Sequence, residues 1–149
     1  MRRDRHPLFN KCKDGVMADS VDDFVRKIRE FNEKAEADAT RRLRRISLKA
    51  LEMIVTGTPV LTGCCRANWQ IGIGKLQRNF NKNTLDKSGG ATINQGLGHI
   101  TRAKLGVDVF IENSCPYVIP LENGWSRQRP AGSMIRRNLE KLQKAVNAR

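Results

Sequence analysis

The sequence is poor in aromatic side chains, in acidic side chains and in long apolar runs. Aromatic residues make up 5% of its 149 positions, and no basic cluster alternates with the rings on which single-stranded nucleic acids stack. This scarcity argues against a dedicated nucleic-acid reader. No apolar run approaches the ~20 residues that a membrane span needs, so the sequence predicts no membrane partner.

Histidine and cysteine are also scarce, which limits the chemistry available to the chain. His6 and His99 lie far from the four cysteines, and no two cysteines form the Cys-x-x-Cys pair typical of zinc sites. We therefore expect no bound metal. Adjacent Cys64 and Cys65 should point in divergent directions and no secretory signal precedes them, so reduced thiols in a cytoplasm are expected.

Two short segments are similar to catalytic motifs but differ from them in detail. In "GWSRQ", Gln128 stands where a nucleophile elbow needs a second glycine. In "GIGK", Leu76 follows the lysine where a phosphate-binding loop needs serine or threonine. The sequence therefore predicts no catalytic residue, no cofactor and no enzymatic activity.

The charge balance is strongly basic. The chain has 28 Lys and Arg against 15 Asp and Glu, a formal net charge of +13. The excess is uneven, with about +5 over residues 75–104 and about +6 over residues 126–149, but about −3 over residues 105–125. Because net charge informs about partners rather than fold, an acidic partner is expected, either nucleic acid or an acidic protein surface.

A long helix is predicted behind an N-terminal arm. Residues 1–19 show no sustained periodicity, which predicts a flexible basic arm. From Ser20, a typical N-cap, apolar residues recur every three or four positions until Gly57 interrupts the pattern, so the helix should end near Thr56. Such a helix is longer than a compact domain of this size needs, and part of its apolar stripe is expected to pack on a neighbouring subunit.

The second half of this helix carries the basic run "RRLRR". Positive charge there complements the helix macrodipole, so the run is either a solvated helix face or a partner-binding patch. The candidate partner-binding side chains are Arg41, Arg44 and Arg45.

Two period-two patterns, over residues 67–73 and 107–112, predict strands. Between them, residues 75–106 are polar and rich in glycine and asparagine, which predicts a long mobile loop on a hairpin. Pro130 then opens an apolar stripe typical of a last helix. The order predicts one α+β domain over residues 20–149: a long N-terminal helix, a small antiparallel sheet with a long hairpin loop, and a C-terminal helix packed on the sheet.

The segment "YVIPLENGWSRQRPAGSM", residues 117–134, joins the second strand to the last helix. It predicts a short helical turn through Glu122 that Gly124 ends with a positive φ. Trp125 is expected either in the core or as a plug at a subunit interface. Three charged side chains of the segment are expected to be free to pair across subunits: Glu122, Arg127 and Arg129.

Two stretches together, "TPVLTGCCRANWQIGIG" from Thr58 and "IENSCPYVIPLENGWSRQRPAGSMIRRNLEK" from Ile111, resemble the tail-completion or head–tail joining proteins of long-tailed bacteriophages. In that family a helix leads into a Thr-Pro-Val-Asp-Thr-Gly-like turn and a strand. A later strand ending in Asn is followed by Pro-Tyr, Leu-Glu-x-Gly and Ser-x-Gln-x-Pro. The second block matches more fully, because in the first Leu61 stands where an Asp is common, and Cys64 and Cys65 replace a basic–apolar pair.

The resemblance implies a non-enzymatic virion protein that is assembled in the host cytoplasm and forms a ring in the phage neck, around the DNA channel. The implied partners are copies of the chain, with a hexamer favoured and a dodecamer as the alternative, together with connector or stopper proteins and tail terminator or tail tube proteins. The candidate interface residues are Arg41, Arg44, Arg45, Trp125, Arg127 and Arg129.

The basic loop is expected to face the DNA channel or a neighbouring ring, or else to be simply solvated. Any DNA contact should be to phosphates, without sequence preference. The loop residues concerned are Lys75, Arg78, Lys82 and Lys87.

Two other functions stay open on the sequence. A tail terminator ring protein has a similar size and α+β build, and composition does not separate it from a completion protein. A standalone basic nucleic-acid-binding module would instead be monomeric, with an affinity for unrelated duplexes that falls steeply with salt.

Overall fold

The computed structural model describes residues 14–148, and its first element, α1, runs over Asp14–Gly57 as one helix. The prediction of a single long helix is therefore confirmed. The helix begins before the expected Ser20, so the predicted irregular arm is wrong for residues 14–19. The rest of that arm lies outside the described residues.

The chain divides into two compact units, and the first ends at Ala37. Its described residues, 14–37, are the N-terminal part of α1. Exposed ion pairs follow the helical spacing: Asp23 pairs with Arg26 and, at 2.7 Å, with Lys27. Pairs three or four residues apart face each other on a helix and stabilise it by a few tenths of a kcal/mol each.

The second unit contains the rest of α1 and every other element. Its core is built on one face of α1, where Leu51, Ile54 and Val55 are buried. These residues recur at helical spacing, so one stripe of the helix is covered. The core is completed by buried side chains from the rest of the unit: Cys65, Trp69, Ile71, Ile100, Cys115, Val118 and Met134.

The sheet consists of two antiparallel strands, β1 (Trp69–Ile73) and β2 (Val109–Asn113). Ile71 lies opposite Ile111 in the register, and Ile71 faces the core. The α+β class is confirmed. Both strands begin two residues later than the alternation predicted. Ala67 belongs to a short helix, α2 (Cys64–Ala67), that precedes β1, and residues 105–107 form a turn and a bend before β2.

A helix, α3 (Gly90–Ile100), lies in the segment that was predicted to be a long loop. It contacts β1. The loop prediction is wrong here, and one of the glycines that suggested a loop serves packing: a Cβ at Gly96 would overlap the Leu51 side chain and lie 3.3 Å from Ile71. Glycine in a helix lowers its intrinsic stability, but here it allows close approach to the core. His99 is consequently half-buried on a helix rather than in a loop.

The rest of the predicted loop, before α3, is irregular but tied to the sheet. Asn68 accepts a hydrogen bond from Asn81 N (2.8 Å) and donates one to Asn81 O (3.0 Å). Glu112 of β2 accepts hydrogen bonds from the backbone amides of Gln77 and Arg78. These side-chain hydrogen bonds hold the backbone of the irregular segment next to the two strands.

Two further helices, α4 (Val118–Glu122) and α5 (Arg136–Asn147), complete the fold. The start predicted at Pro130 is wrong, since residues 131–135 form turns before α5 begins. Helix α5 was expected to pack on the sheet. Its Asn138 side chain instead donates a hydrogen bond to Met53 O of α1 at 2.7 Å.

Thr58 links the end of α1 to the sheet. Its hydroxyl donates to Ile54 O (2.8 Å) and accepts a hydrogen bond from the Trp69 indole N–H (2.8 Å), and its amide donates to Val55 O (3.2 Å). Thr58 is fully buried and Trp69 nearly so. All these polar groups are therefore paired away from water, as buried groups must be to avoid a desolvation cost.

The carbonyl oxygen of Thr56, in the last turn of α1, accepts hydrogen bonds from Arg66 Nη2 and Arg129 Nη2, each at 3.4 Å. Cations are favourable at this end of a helix because the macrodipole is negative there. Both arginines come from later in the chain. The end of α1 is thus held by residues distant in sequence.

Thr58→Val should destabilise the fold by about 1–3 kcal/mol, because it leaves the Trp69 indole and the Ile54 carbonyl buried without a partner. Chemical denaturation measures the change. Thr56→Val is the matched control, since Thr56 is exposed and its hydroxyl bonds Glu52 O within the helix; it should cost less than about 0.5 kcal/mol. Equal losses for the two variants would contradict this account.

Asp86 fixes the start of α3. Its carboxylate accepts hydrogen bonds from Gly89 N (2.7 Å), from Thr92 N and Oγ1 (2.9 Å each) and from Ser88 Oγ (2.8 Å). Burial raises the pKa of Asp86, but the hydrogen bonds from Thr92, Ser88 and Gly89 outweigh it and lower the pKa to about 2.

The stability that Asp86 contributes should therefore be present above about pH 4 and lost as the pH falls toward 2, since its unfolded pKa is about 3.9. Asp86→Asn should be less stable at pH 7 by about 1–3 kcal/mol and should show a weaker acid loss over that window. Denaturation at a series of pH values measures both. Asp108→Asn, at an exposed position, is the control. If Asp86→Asn had the same pH profile of stability as Asp108→Asn, the role assigned to Asp86 would be refuted.

Candidate functional site

The end of helix α4 has the geometry that its sequence predicts. Gly124 has φ +92°, and its amide donates to Leu121 O at 3.2 Å. The amide of Trp125 donates to Pro120 O at 3.2 Å. A glycine with left-handed backbone directly after a helix satisfies the last carbonyls and turns the chain. The predicted short helix and its positive-φ glycine are both confirmed.

Glu122 anchors the beginning of α5. Its Oε2 accepts hydrogen bonds from the amides of Met134 (3.1 Å) and Ile135 (3.0 Å), and its Oε1 from that of Arg136 (2.9 Å). A carboxylate at this position accepts hydrogen bonds from the free amides at the helix start, and its negative charge interacts favourably with the positive end of the helix dipole. The expectation that Glu122 is free to pair across subunits is therefore wrong.

Gln128 connects two stretches that are far apart in sequence, the turn after α1 and the segment after α4. Its side-chain carbonyl accepts a hydrogen bond from Val60 N (3.0 Å), and its amide nitrogen donates to Val60 O (2.8 Å). The amide thus pairs with the Val60 backbone as a neighbouring strand would. The turn after α1 and the segment after α4 are brought side by side across 68 residues of sequence.

Between these two segments lies a groove of about 620 Å³, which we call the join groove. It is lined by residues 59–65 and by Tyr117, Leu121, Trp125, Ser126, Arg127 and Gln128. Leu61 is 86% exposed and Trp125 79% exposed. The prediction of Trp125 as a core residue is wrong, and its indole stands in solvent at the edge of an apolar groove.

The floor of the join groove contains buried thiols. Cys64 and Cys65 line it, and the cysteines of the described chain, these two and Cys115, are buried and free. Burial, together with the neighbouring Cys115, raises the pKa of Cys65 to about 12. The Cys65 thiol therefore stays protonated at neutral pH and forms part of the apolar lining, while Cys12 lies outside the described residues.

Among the interface candidates, Trp125 and Arg127 both line the join groove, whereas Arg129 lies at the end of α1 against Thr56 O. Arg41 pairs with Asp38 on α1, and the Arg44 Nε donates to Ala103 O at 2.9 Å.

Arg45, the remaining candidate, lines a smaller cleft of about 220 Å³ between α1 and α5, beside Leu142 and Val146. The predicted arginines of α1 are thus divided among separate local contacts and do not form one patch with Trp125.

The four loop candidates have exposed side chains on a fixed backbone. The carbonyl of Lys87 accepts a hydrogen bond from the Arg66 guanidinium (2.6 Å), and that of Lys82 accepts one from the Cys64 thiol (3.6 Å). Arg78 is held through its amide by Glu112. The side chains that remain in solvent are those of Lys75, Arg78, Lys82 and Lys87.

Sequence reasoning missed Leu61 and the role of Gln128. The sequence showed Leu61 only as the residue that stands at a turn where an Asp is common in the resembling pattern, and not as part of an exposed apolar surface. Nothing local indicates that Gln128 bonds the Val60 backbone, because that contact depends on the fold.

Comparison with known proteins gives no assignment: no family model, no curated protein and no solved structure matches this chain. Within residues 14–148, no three His, Cys, Asp or Glu side chains are grouped so that they could hold a metal ion. None of the helices described is long and apolar enough to cross a membrane.

Gly124→Val should distort the join groove and destabilise the fold. A side chain at φ +92° is strained, and its Cβ would lie 3.1–3.3 Å from atoms of Ala131. Gly106→Val is the matched control, because Gly106 has φ +82° with nothing within 4 Å of the added Cβ. We expect Gly124→Val to lose more stability, by about 1 kcal/mol or more, in denaturation monitored by tryptophan fluorescence. Equal losses would mean that the contact with Ala131 is unimportant.

Proposed function

We propose that this chain is a non-enzymatic structural protein of a tailed-phage virion, which forms a ring in the neck and joins the head connector to the tail around the DNA channel. The observation that carries the proposal is the join groove. The two stretches that resemble tail-completion proteins meet there, and Gln128 bonds the Val60 backbone between them. Residues shared with the family pattern thus build one surface.

The composition of that surface favours binding to protein. Apolar side chains exposed together, such as Leu61 and Trp125, are typical of interaction sites. The groove also presents Tyr117 and Arg127. Trp, Tyr and Arg are the residue types that most often dominate the binding energy of protein interfaces.

The charge of the chain fits a position next to DNA or an acidic ring. The four exposed loop side chains are basic, and the formal net charge is +13. In a channel, such side chains would meet phosphates without reading sequence. The proposed partners are further copies of the chain, as a hexamer or a dodecamer, the connector or stopper proteins on the head side and the terminator or tube proteins on the tail side.

A particle-completion assay tests the proposal. A phage that lacks this chain should accumulate filled heads and finished, separate tails, and adding the purified full-length protein should join them, as counted by plaque titre and electron microscopy. Tails of irregular length in its absence would instead indicate a terminator. A protein that stays monomeric, binds unrelated duplexes in a salt-dependent way and leaves heads and tails apart would overturn the proposal in favour of a nucleic-acid-binding module.

The same assay measures the contribution of the loop charge. The variant with Gln at positions 75, 78, 82 and 87 should unfold like the wild type, because these side chains are exposed, and should join fewer particles. The control replaces the exposed Arg136, Arg137, Lys141 and Lys144 of α5 by Gln, which removes the same charge elsewhere. Equal effects of the two variants would show that only total charge matters.

A further inference from the structure

The N-terminal part of α1 carries an exposed apolar stripe. Its members, which we call the α1 stripe, are Val21, Phe24, Val25, Ile28 and Phe31. At about 100° per residue these positions fall within roughly 120° of one face of the helix. Phe24 is 64% exposed and Phe31 69% exposed. Five large apolar side chains in one line are more than a solvated helix face usually bears.

The spacing of the α1 stripe is that of a helix that binds in a groove. Its members stand at positions i, i+3, i+4, i+7 and i+10, which is the pattern of anchors in helix-in-groove recognition. Val21 and Phe31 lie about 15 Å apart along the axis, at 1.5 Å per residue. A complementary site would be a short apolar groove with exposed edges.

The join groove has those properties. Its volume of about 620 Å³ is in the range of clefts that take up a ligand of several side chains. Leu61 and Trp125 stand exposed at its edges, and Arg127 is its one charged lining residue.

The segment that carries the α1 stripe and the rest of the chain after it have opposite net charges, and the groove itself presents Arg127. Residues 20–38, which contain the α1 stripe, carry six carboxylates against four basic side chains, whereas residues 39–149 carry 19 basic side chains against six carboxylates. Opposite fields steer association and fix orientation. A symmetric pairing of two α1 stripes would instead bring two acidic segments together and leave both join grooves uncovered.

We propose that the α1 stripe of one copy docks in the join groove of the next copy. The contact is heterologous, since each chain offers one stripe and one groove, and a heterologous contact forms a ring when its repeated rotation closes. The inference rests on the ring in the proposed function and names the two surfaces that form it. Phe24, Ile28 and Phe31 would be the anchors, and the Trp125 indole would cover them from the groove edge.

Mixing two single-surface variants of the full-length chain tests this contact. The stripe variant is Phe24→Ser with Ile28→Ser, and the groove variant is Leu61→Ser with Trp125→Ser; all four side chains are exposed, so folding should be retained. The control is Leu85→Ser with Leu105→Ser, at exposed apolar positions outside both surfaces. Sedimentation velocity measures association.

The wild type and the control should form oligomers larger than dimers, and each single-surface variant alone should associate about tenfold or more weakly. An equimolar mixture of the two variants should form heterodimers and stop there, because the stripe variant supplies an intact groove and the groove variant an intact stripe. Three results would overturn the proposal: a monomeric mixture, a groove variant that oligomerises like the wild type, or a monomeric wild type.

The particle-completion assay separates this contact from the neck role. If the mixture dimerises but the chain is not required to join heads and tails, the contact stands and the neck role fails. If joining requires the chain while the mixture stays monomeric, the neck role stands and the contact fails.

Discussion

The end of helix α1 is the constraint on which the second unit of this protein depends. The last carbonyls of a helix have no partner within it, and here Ile54 and Val55 are buried, so their carbonyls must be paired by other groups. Thr58 supplies a hydroxyl and an amide to them, and Arg66 and Arg129 supply guanidinium groups to the next carbonyl. Each donor comes from a different part of the chain, and satisfying one helix end places the turn, helix α2 and the segment before α5.

The join groove follows from that arrangement. Thr58 fixes the turn whose next residues line one wall, and Arg129 belongs to the segment whose preceding residues line the other. Gln128 then bonds the Val60 backbone across the gap. In the groove Gln128 holds the Val60 backbone in place, while the apolar side chains of Leu61 and Trp125 face solvent. This division of roles suits a surface that binds another protein.

Local signals in the sequence were sufficient for α1, for the two strands to within two residues, and for the left-handed Gly124 after α4. These features depend on periodicity or on one backbone conformation. Helix α3 was not predictable in the same way, because Gly96, one of the glycines that suggest a loop, is needed for the helix to approach Leu51 closely. Of the site, the left-handed conformation of Gly124 could be anticipated. The exposure of Trp125 and the bonding of Gln128 could not, since both depend on residues far away in sequence.

The separation of Val60 from Gln128 by 68 residues also bears on the order in which the α1 stripe and the join groove form. The apolar stripe of α1 is local, and it is complete as soon as that helix forms. The join groove exists only after α4, Gln128 and the donors to α1 have been synthesised and packed, because contacts between distant residues form late. On a chain that is still being synthesised, the α1 stripe is therefore present before the join groove has formed. Under the contact proposed above, a subunit could accept a neighbour only after its C-terminal third has folded.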